Sequence, residues 1–129
     1  MTVLKGTQLF SAFDANENVK HGLPSVAYTS KDFYELESKL VFAKSWTFVG
    51  FTYDLAQVGD ITPLEVAGQP LILVRSSKNK IRAFFNVCRH RNLKLVGEPH
   101  NCKKRITCPY HNWVYNLDGQ LCEIGRAHV

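Results

Sequence analysis

Short runs rich in β-branched and aromatic residues follow one another from Trp46 onward. They read WTFVGFTY (46–53), ITPLEVA (61–67), LILVR (71–75) and IRAFFNV (81–87), with Gly, Asp, Pro, Ser or Asn between them. Runs of this length and spacing are typical of closely spaced antiparallel strands. A further pair of runs flanks Asp118-Gly119, which suits a type I′ hairpin turn because glycine tolerates positive φ. The pattern predicts an antiparallel β domain.

The segment before these runs has a helical period instead. Thr29 or Ser30 is a suitable N-cap, and apolar residues recur three and four positions apart from Phe33 to Leu40. We therefore expect one α-helix over about residues 31–44.

Length and composition set the broad class. The chain has 129 residues, 45 % of them hydrophobic, which is enough for one globular domain with a modest core. We expect an N-terminal arm and helix over residues 1–45, with the arm over residues 1–24, and the β domain over residues 46–129.

Location and partners follow from what the sequence contains. No window approaches the roughly 18 apolar residues of a membrane span, and the first residues do not have the pattern of a secretory signal. We therefore expect a cytoplasmic protein with no membrane partner. The net charge is +5, which suits either nucleic acid or an acidic protein. No known nucleic-acid-binding module accompanies the charge, so we expect no nucleic-acid partner.

Four of the nine cysteine and histidine residues fall in two short boxes, Cys88-x-His90 and Cys108-x-x-His111. Both boxes lie in predicted loops of the β domain. Structural zinc sites usually pair like ligands, whereas each box here pairs a thiol with an imidazole. A two-iron cluster explains this pairing, because two loops that each reach both irons would each supply one ligand of each type. A structural zinc module remains the alternative.

The sequence CRH…CPYHNWVYNLDG resembles the Rieske [2Fe–2S] motif, and LPSVAYTSKDFYELESKLVFAKSWTFVG is similar to the N-terminal lead-in of ring-hydroxylating oxygenase α subunits. The resemblance covers roughly residues 23–122. It implies a Rieske-type antiparallel β sandwich with two cluster-binding loops, preceded by the arm and one α-helix. It also implies that Cys88 and Cys108 bind one iron as thiolates, and that His90 and His111 bind the other as imidazoles.

The resemblance also separates two groups of Rieske proteins. The cytochrome bc type has an additional cysteine in each loop, and the two form a disulfide. Leu93 and Tyr110 fill those places here, so the chain is more similar to the oxygenase and ferredoxin group. Cys102 and Cys122 lie outside the motif and are expected to be free thiols.

By resemblance the protein is an oxidoreductase, the electron-transfer part of a Rieske dioxygenase or monooxygenase. A reductase or ferredoxin would donate the electron. In the intact family protein, a mononuclear Fe(II) in the catalytic domain of the same or a neighbouring subunit would receive it. Only His128 follows the motif, so we expect this chain by itself to lack the two-histidine, one-carboxylate site that binds that iron. It is then a fragment of an α subunit or, alternatively, a free-standing Rieske-type ferredoxin.

Several residues near the boxes are candidates for a supporting role. Tyr110 and Trp113 would shield the cluster or serve as core aromatics. Basic residues around the first box and the connecting loop would form either a solvated face or a docking surface for an acidic donor; they are Arg89, Arg91, Lys94, Lys103, Lys104 and Arg105. Asn92 and Asn112 stand where the family commonly has glycine. Asparagine is the other residue best suited to positive φ, so both loops are expected to be compatible with it.

Overall fold

The computed structural model describes residues 22–125, so most of the predicted arm lies outside the described residues. The chain divides into two compact units, Met1–Trp46 and Thr47–Val129.

The described part of the first unit contains two α-helices, α1 (Val26–Thr29) and α2 (Lys31–Leu40), where the sequence predicted one. Ser30 separates the helices and caps α2, because its side chain accepts a hydrogen bond from the Phe33 amide at 3.3 Å. The predicted helix over residues 31–44 is too long. The helix ends at Leu40, which is 55 % exposed, and a 3-10 turn covers Phe42–Lys44.

The segment over residues 46–53 was wrongly predicted to be a strand. Residues 46–53 contain no strand, and a 3-10 turn covers Thr52–Leu55. The guanidinium of Arg75 donates to the carbonyl of Thr52 at 2.7 Å and to the carbonyl of Leu55. Leu55 is also buried. Arg75 lies 20 or more residues further along the chain, and its hydrogen bonds stabilise the 3-10 turn. These bonds outweigh the local preference of the aromatic residues for a strand.

A four-stranded antiparallel sheet follows. Its strands are β1 (Asp60–Val66), β2 (Gln69–Ser77), β3 (Lys80–Phe85) and β4 (His100–Asn101), in the spatial order β3-β2-β1-β4. Strands β1 and β2 are joined by Ala67 and Gly68, whose φ angles are 51° and 74°. Positive φ at both central residues is the requirement of a type I′ hairpin turn.

A second antiparallel sheet has three strands, β5 (Arg105–Thr107), β6 (Val114–Asn116) and β7 (Leu121–Glu123), in that order. The hairpin at Asp118-Gly119 is present, but its turn is not type I′. Only Gly119, at φ 84°, has a positive φ there. The Asn116 amide donates to the Gln120 carbonyl at 2.9 Å, so residues 117–119 form a three-residue loop. The Asn116 side chain also accepts from the amides of Asp118 and Gln120. A three-residue loop needs positive φ only at its last position.

The two sheets share one hydrophobic core, which confirms the predicted β sandwich. Ile61 and Ile72 from the first sheet pack with Ile106 and Tyr115 from the second. Loops next to this core contain the two Cys–His boxes. One box follows β3, and the other joins β5 to β6. Among the described residues, no helix is long and apolar enough to cross a membrane.

Candidate metal centre

The first box is a tight backbone loop. The Cys88 amide donates to the Leu93 carbonyl at 2.8 Å, and the Asn92 amide donates to the Cys88 carbonyl at 2.8 Å. Asn92 has a φ of 54°, as the sequence predicted. The left-handed conformation at this position turns the chain back, so that Cys88 and Leu93 face each other across the base of the loop.

The second box has the same backbone pattern. The Cys108 amide donates to the Trp113 carbonyl at 2.8 Å, the Asn112 amide donates to the Cys108 carbonyl at 3.1 Å, and Asn112 has a φ of 56°. The two loops are therefore copies of one conformation. They differ in where the histidine stands, two residues after the first cysteine and three after the second.

The structure brings the four predicted side chains together as two pairs. The thiols of Cys88 and Cys108 belong to the same core cluster and are 1 % and 2 % exposed. The imidazoles of His90 and His111 are half-buried, and their ring centroids lie 4.7 Å apart. Within residues 22–125, no group of three or more His, Cys, Asp or Glu side chains surrounds a single ion position.

Tyr115 is a candidate site residue that the sequence reasoning missed. Its hydroxyl oxygen lies 3.3 Å from the Cys88 sulfur and accepts from the Arg89 amide at 3.1 Å. Burial, together with the neighbouring Cys88 sulfur, raises the pKa of Tyr115, so the phenol keeps its proton. Since the amide approaches the oxygen as a donor, the phenol proton is free to point at the sulfur. The only cue in the sequence was the position of Tyr115 in the strand directly after the second box.

This hydrogen bond changes the chemistry of the first thiol. Burial raises the pKa of Cys88, but hydrogen bonds from Tyr115, the loop backbone and Cys108 outweigh burial, so the net pKa lies below its ordinary value. The thiolate is the form of cysteine that binds metals. The site is therefore built to hold at least one anionic sulfur in a dry interior.

Aromatic rings cover the two imidazoles. Trp113 stacks on His90 with centroids 4.8 Å apart and an interplanar angle of 3°. Tyr110 contacts His111 at a centroid distance of 3.7 Å, although Tyr110 is 54 % exposed. Trp113 belongs to the second loop and His90 to the first, so this stacking joins the loops. Tyr110 lies at the surface and is not a core aromatic.

The remaining residues singled out in the sequence are the six basic residues near the boxes and the two cysteines outside them. All six basic residues are exposed, and Arg105 pairs with Glu123 at 3.2 Å. Cys102 and Cys122 are free thiols, as predicted. Cys102 donates to the carbonyl of Gly59, the residue before β1, at 3.1 Å. His128 lies outside the described part of the chain.

The donor set fits a two-iron cluster. Two buried thiols and two half-buried imidazoles face one another in separate pairs, which suits a cluster with sulfur ligands on one iron and nitrogen ligands on the other. The surrounding apolar core supplies the low dielectric and the water exclusion that govern the potential of such a centre.

The chain belongs to the Rieske [2Fe–2S] domain family, whose sequence profile matches residues 45–128. Its cofactor is therefore the [2Fe–2S] cluster.

The curated relatives are oxygenase subunits, which confirms the resemblance to oxygenase α subunits. The oxygenase subunit of carnitine monooxygenase from Acinetobacter baumannii is 41 % identical over 109 residues, which make up 84 % of this chain and 29 % of that subunit. The chain therefore spans less than a third of the length of this relative, and the match lies in the N-terminal part of these subunits.

Solved structures agree with this. The quaternary ammonium Rieske monooxygenase CntA in complex with gamma-butyrobetaine is 40 % identical at a TM-score of 0.75, over 86 % of this chain and 32 % of that one. A naphthalene 1,2-dioxygenase variant bound to phenanthrene is 31 % identical at a TM-score of 0.69, over 77 % and 22 %.

Proposed function

We propose that this chain carries single electrons through a Rieske cluster held by Cys88 and Cys108 on one iron and by His90 and His111 on the other. The observation that carries the proposal is the separation of the ligand pairs by depth. The thiols lie in the core and the imidazoles reach the surface, on two loops of equal conformation.

Each pair has its own task. The buried thiolates bind metal where water cannot compete, and Tyr115 stabilises the negative charge of one of them by donating a hydrogen bond. As ligands the imidazoles would carry no charge, so in place of two thiolates they would make the centre less negative. When bound, the cluster supplies one-electron chemistry at a potential above that of all-cysteine clusters, because it carries less negative charge.

Electrons enter and leave at the imidazole end. His90 and His111 are the ligands nearest the surface, and the rings of Trp113 and Tyr110 lie against them. The exposed basic residues around the first loop suit the acidic face of a reductase or ferredoxin, which would donate the electron.

We propose that the chain works as the electron relay of a Rieske oxygenase. The relatives are oxygenase subunits, and inter-subunit electron transfer has been examined in the quaternary ammonium Rieske monooxygenase. The acceptor would be a mononuclear Fe(II) in the catalytic domain of the same or a neighbouring subunit. Residues 46–129 would form the Rieske domain and residues 1–45 its lead-in, which the compact unit Thr47–Val129 and the matched range 45–128 support. A cytoplasmic location stays a prediction.

The metal content of the purified chain tests the cluster directly. We expect a red-brown protein with about two irons and two acid-labile sulfides per chain, as a [2Fe–2S] centre requires. A colourless protein with one zinc per chain would establish the structural zinc module instead.

Two substitutions test the ligand set. Cys88→Ser should abolish the visible spectrum, whereas the matched control Cys122→Ser, at an exposed thiol outside the loops, should leave it unchanged. His111→Cys should retain a cluster with a lower potential, because a second anionic ligand pair is partly restored. A normal spectrum in Cys88→Ser, or an unchanged potential in His111→Cys, would remove that residue from the ligand set.

A further inference from the structure

Asn86 is a polar side chain in the middle of the apolar core. It is 0 % exposed, and it lies two residues before Cys88, just beyond the end of β3. Its backbone amide donates to the Pro70 carbonyl at 2.8 Å, which continues the pairing with β2 for one more residue. A buried amide of this kind is costly unless each of its polar atoms is hydrogen-bonded.

The side-chain amide of Asn86 makes three hydrogen bonds, and all three partners are backbone groups on the far side of the first loop. The nitrogen Nδ2 donates to the Val96 carbonyl at 2.8 Å. The oxygen Oδ1 accepts from the Val96 amide at 2.9 Å and from the Leu95 amide at 3.0 Å. One donor and one acceptor facing a backbone carbonyl and amide is the pairing that a peptide group makes in a β-ladder.

The second loop is closed by strand pairing and not by a side chain. There the flanking residues Thr107 and Val114 pair directly as part of strands β5 and β6, so a β-ladder closes the loop. The first loop is flanked by residue 87 and residues 94–96, which lie in none of the described strands. The two loops nevertheless share one conformation, and the Asn86 side chain supplies at the first loop the closure that the ladder supplies at the second.

Given the ligand set proposed above, we propose that Asn86 is a positioning residue for the cluster. Its side chain acts as a substitute peptide group that closes the first ligand loop and holds Cys88 and His90 in register with Cys108 and His111. The three side-chain hydrogen bonds of Asn86 all go to backbone groups and none goes to a proposed ligand side chain. It acts through the backbone between residues 86 and 96.

The loop closure is tested first without cofactor, on the full chain purified in its apo form. Asn86→Leu keeps the volume of the side chain and removes all three hydrogen bonds. We expect the Leu95 and Val96 amides to exchange with solvent at least about tenfold faster, because a hydrogen bond that closes the loop is lost. The amides at the base of the second loop should be unchanged. Asn79→Leu, in the exposed turn between β2 and β3, is the matched control and should change neither loop.

The effect on the centre is tested in the holoprotein. We expect Asn86→Leu to change the EPR g values and the midpoint potential, which a residue that only stabilises the fold would leave unaltered in the folded fraction. Asn86→Asp is the second variant, in case the leucine variant does not fold. It keeps both acceptor bonds but sets an oxygen against the Val96 carbonyl, so a smaller shift in the same direction is expected.

Unaltered amide exchange, or unaltered g values and potential in a folded variant, would overturn the role of Asn86. This failure is distinct from failure of the proposed function. If Cys88→Ser kept its cluster, the ligand set would be wrong while the exchange data on the apoprotein still measured loop closure. If Cys88→Ser lost the cluster and Asn86→Leu behaved as wild type, the function would stand and the positioning role would not.

Discussion

The hydrogen bond from Tyr115 to Cys88 makes a quantitative prediction about the reduction potential. Tyr115→Phe removes one oxygen atom from a buried ring and keeps the packing of that ring. The Cys88 sulfur loses a donor at 3.3 Å, and the Arg89 amide loses an acceptor at 3.1 Å. The four proposed ligands all remain.

The sign follows from charge. The reduced centre carries one more negative charge than the oxidised centre, so a donor to a ligand sulfur stabilises the reduced form more. A hydrogen bond to an ionised group contributes about 1.5–3 kcal/mol in total. If roughly 1 kcal/mol of that differs between the two states, the potential falls by about 40 mV, since about 59 mV corresponds to a tenfold change in a one-electron equilibrium.

Protein-film voltammetry on the holoprotein measures this shift. Tyr53→Phe is a suitable control, because Tyr53 is 70 % exposed and its hydroxyl contacts none of the proposed ligands. A potential in Tyr115→Phe that equals the wild-type value, or rises, would refute the reasoning from the hydrogen bond.

Three further predictions concern residues of the β domain that are not proposed ligands. Each is tested by the free energy of unfolding of the apoprotein in urea. Hydrogen bonds from the Gln57 backbone and the Asn101 side chain lower the pKa of Asp60, so they stabilise the fold above the ordinary carboxyl pKa, and this stabilisation is lost as the pH falls through the lower folded value. Asp60→Asn should therefore reduce the loss of unfolding free energy at acid pH. An unchanged acid dependence of the unfolding free energy would contradict this role of Asp60. Asn112→Ala should lower the free energy of unfolding by about 1 kcal/mol because alanine is strained at positive φ, whereas Asn112→Gly should not lower it. Arg75→Lys should lower the free energy of unfolding by about 1–2 kcal/mol, because lysine cannot reach all three backbone carbonyls to which the guanidinium donates. Equal stability would show that these three hydrogen bonds are not needed for the fold.

The parts of the fold that the sequence predicted well are those where a local pattern decides the structure. Strands β1 to β3 carry β-branched residues between clear turn signals, and each was placed within a few residues. The positive φ at Asn92 and Asn112 followed from residue type. These features depend on backbone sterics and on short-range periodicity, which a single sequence contains.

The predictions that failed depend on side-chain contacts that the local hydrophobic pattern does not contain. Residues 46–53 have the composition of a strand, but Arg75 holds the end of this segment in a 3-10 turn. The hairpin at Gly119 was located correctly, but its turn type was decided by the side chain of Asn116. Local propensity describes what a segment prefers, and a side chain from elsewhere can outweigh it.

The same limit applies to the candidate site. The four proposed ligands could be named from the two short Cys–His boxes and from their resemblance to the Rieske motif, because each box is local in the sequence. Tyr115 and Asn86 could not be assigned roles, since one acts on a sulfur 27 residues away and the other on backbone groups nine and ten residues away. Neither distance is visible in a sequence without knowledge of the loop geometry.

The depth difference between the thiols and the imidazoles has a consequence for how this domain can change over time. The two proposed thiolate ligands are enclosed by the core, where few replacements are tolerated. The surface around His90 and His111 is free of that constraint, so it can drift in charge and shape while the cofactor stays in place. One electron carrier can thereby be adapted to a succession of different redox proteins through substitutions on its exterior alone.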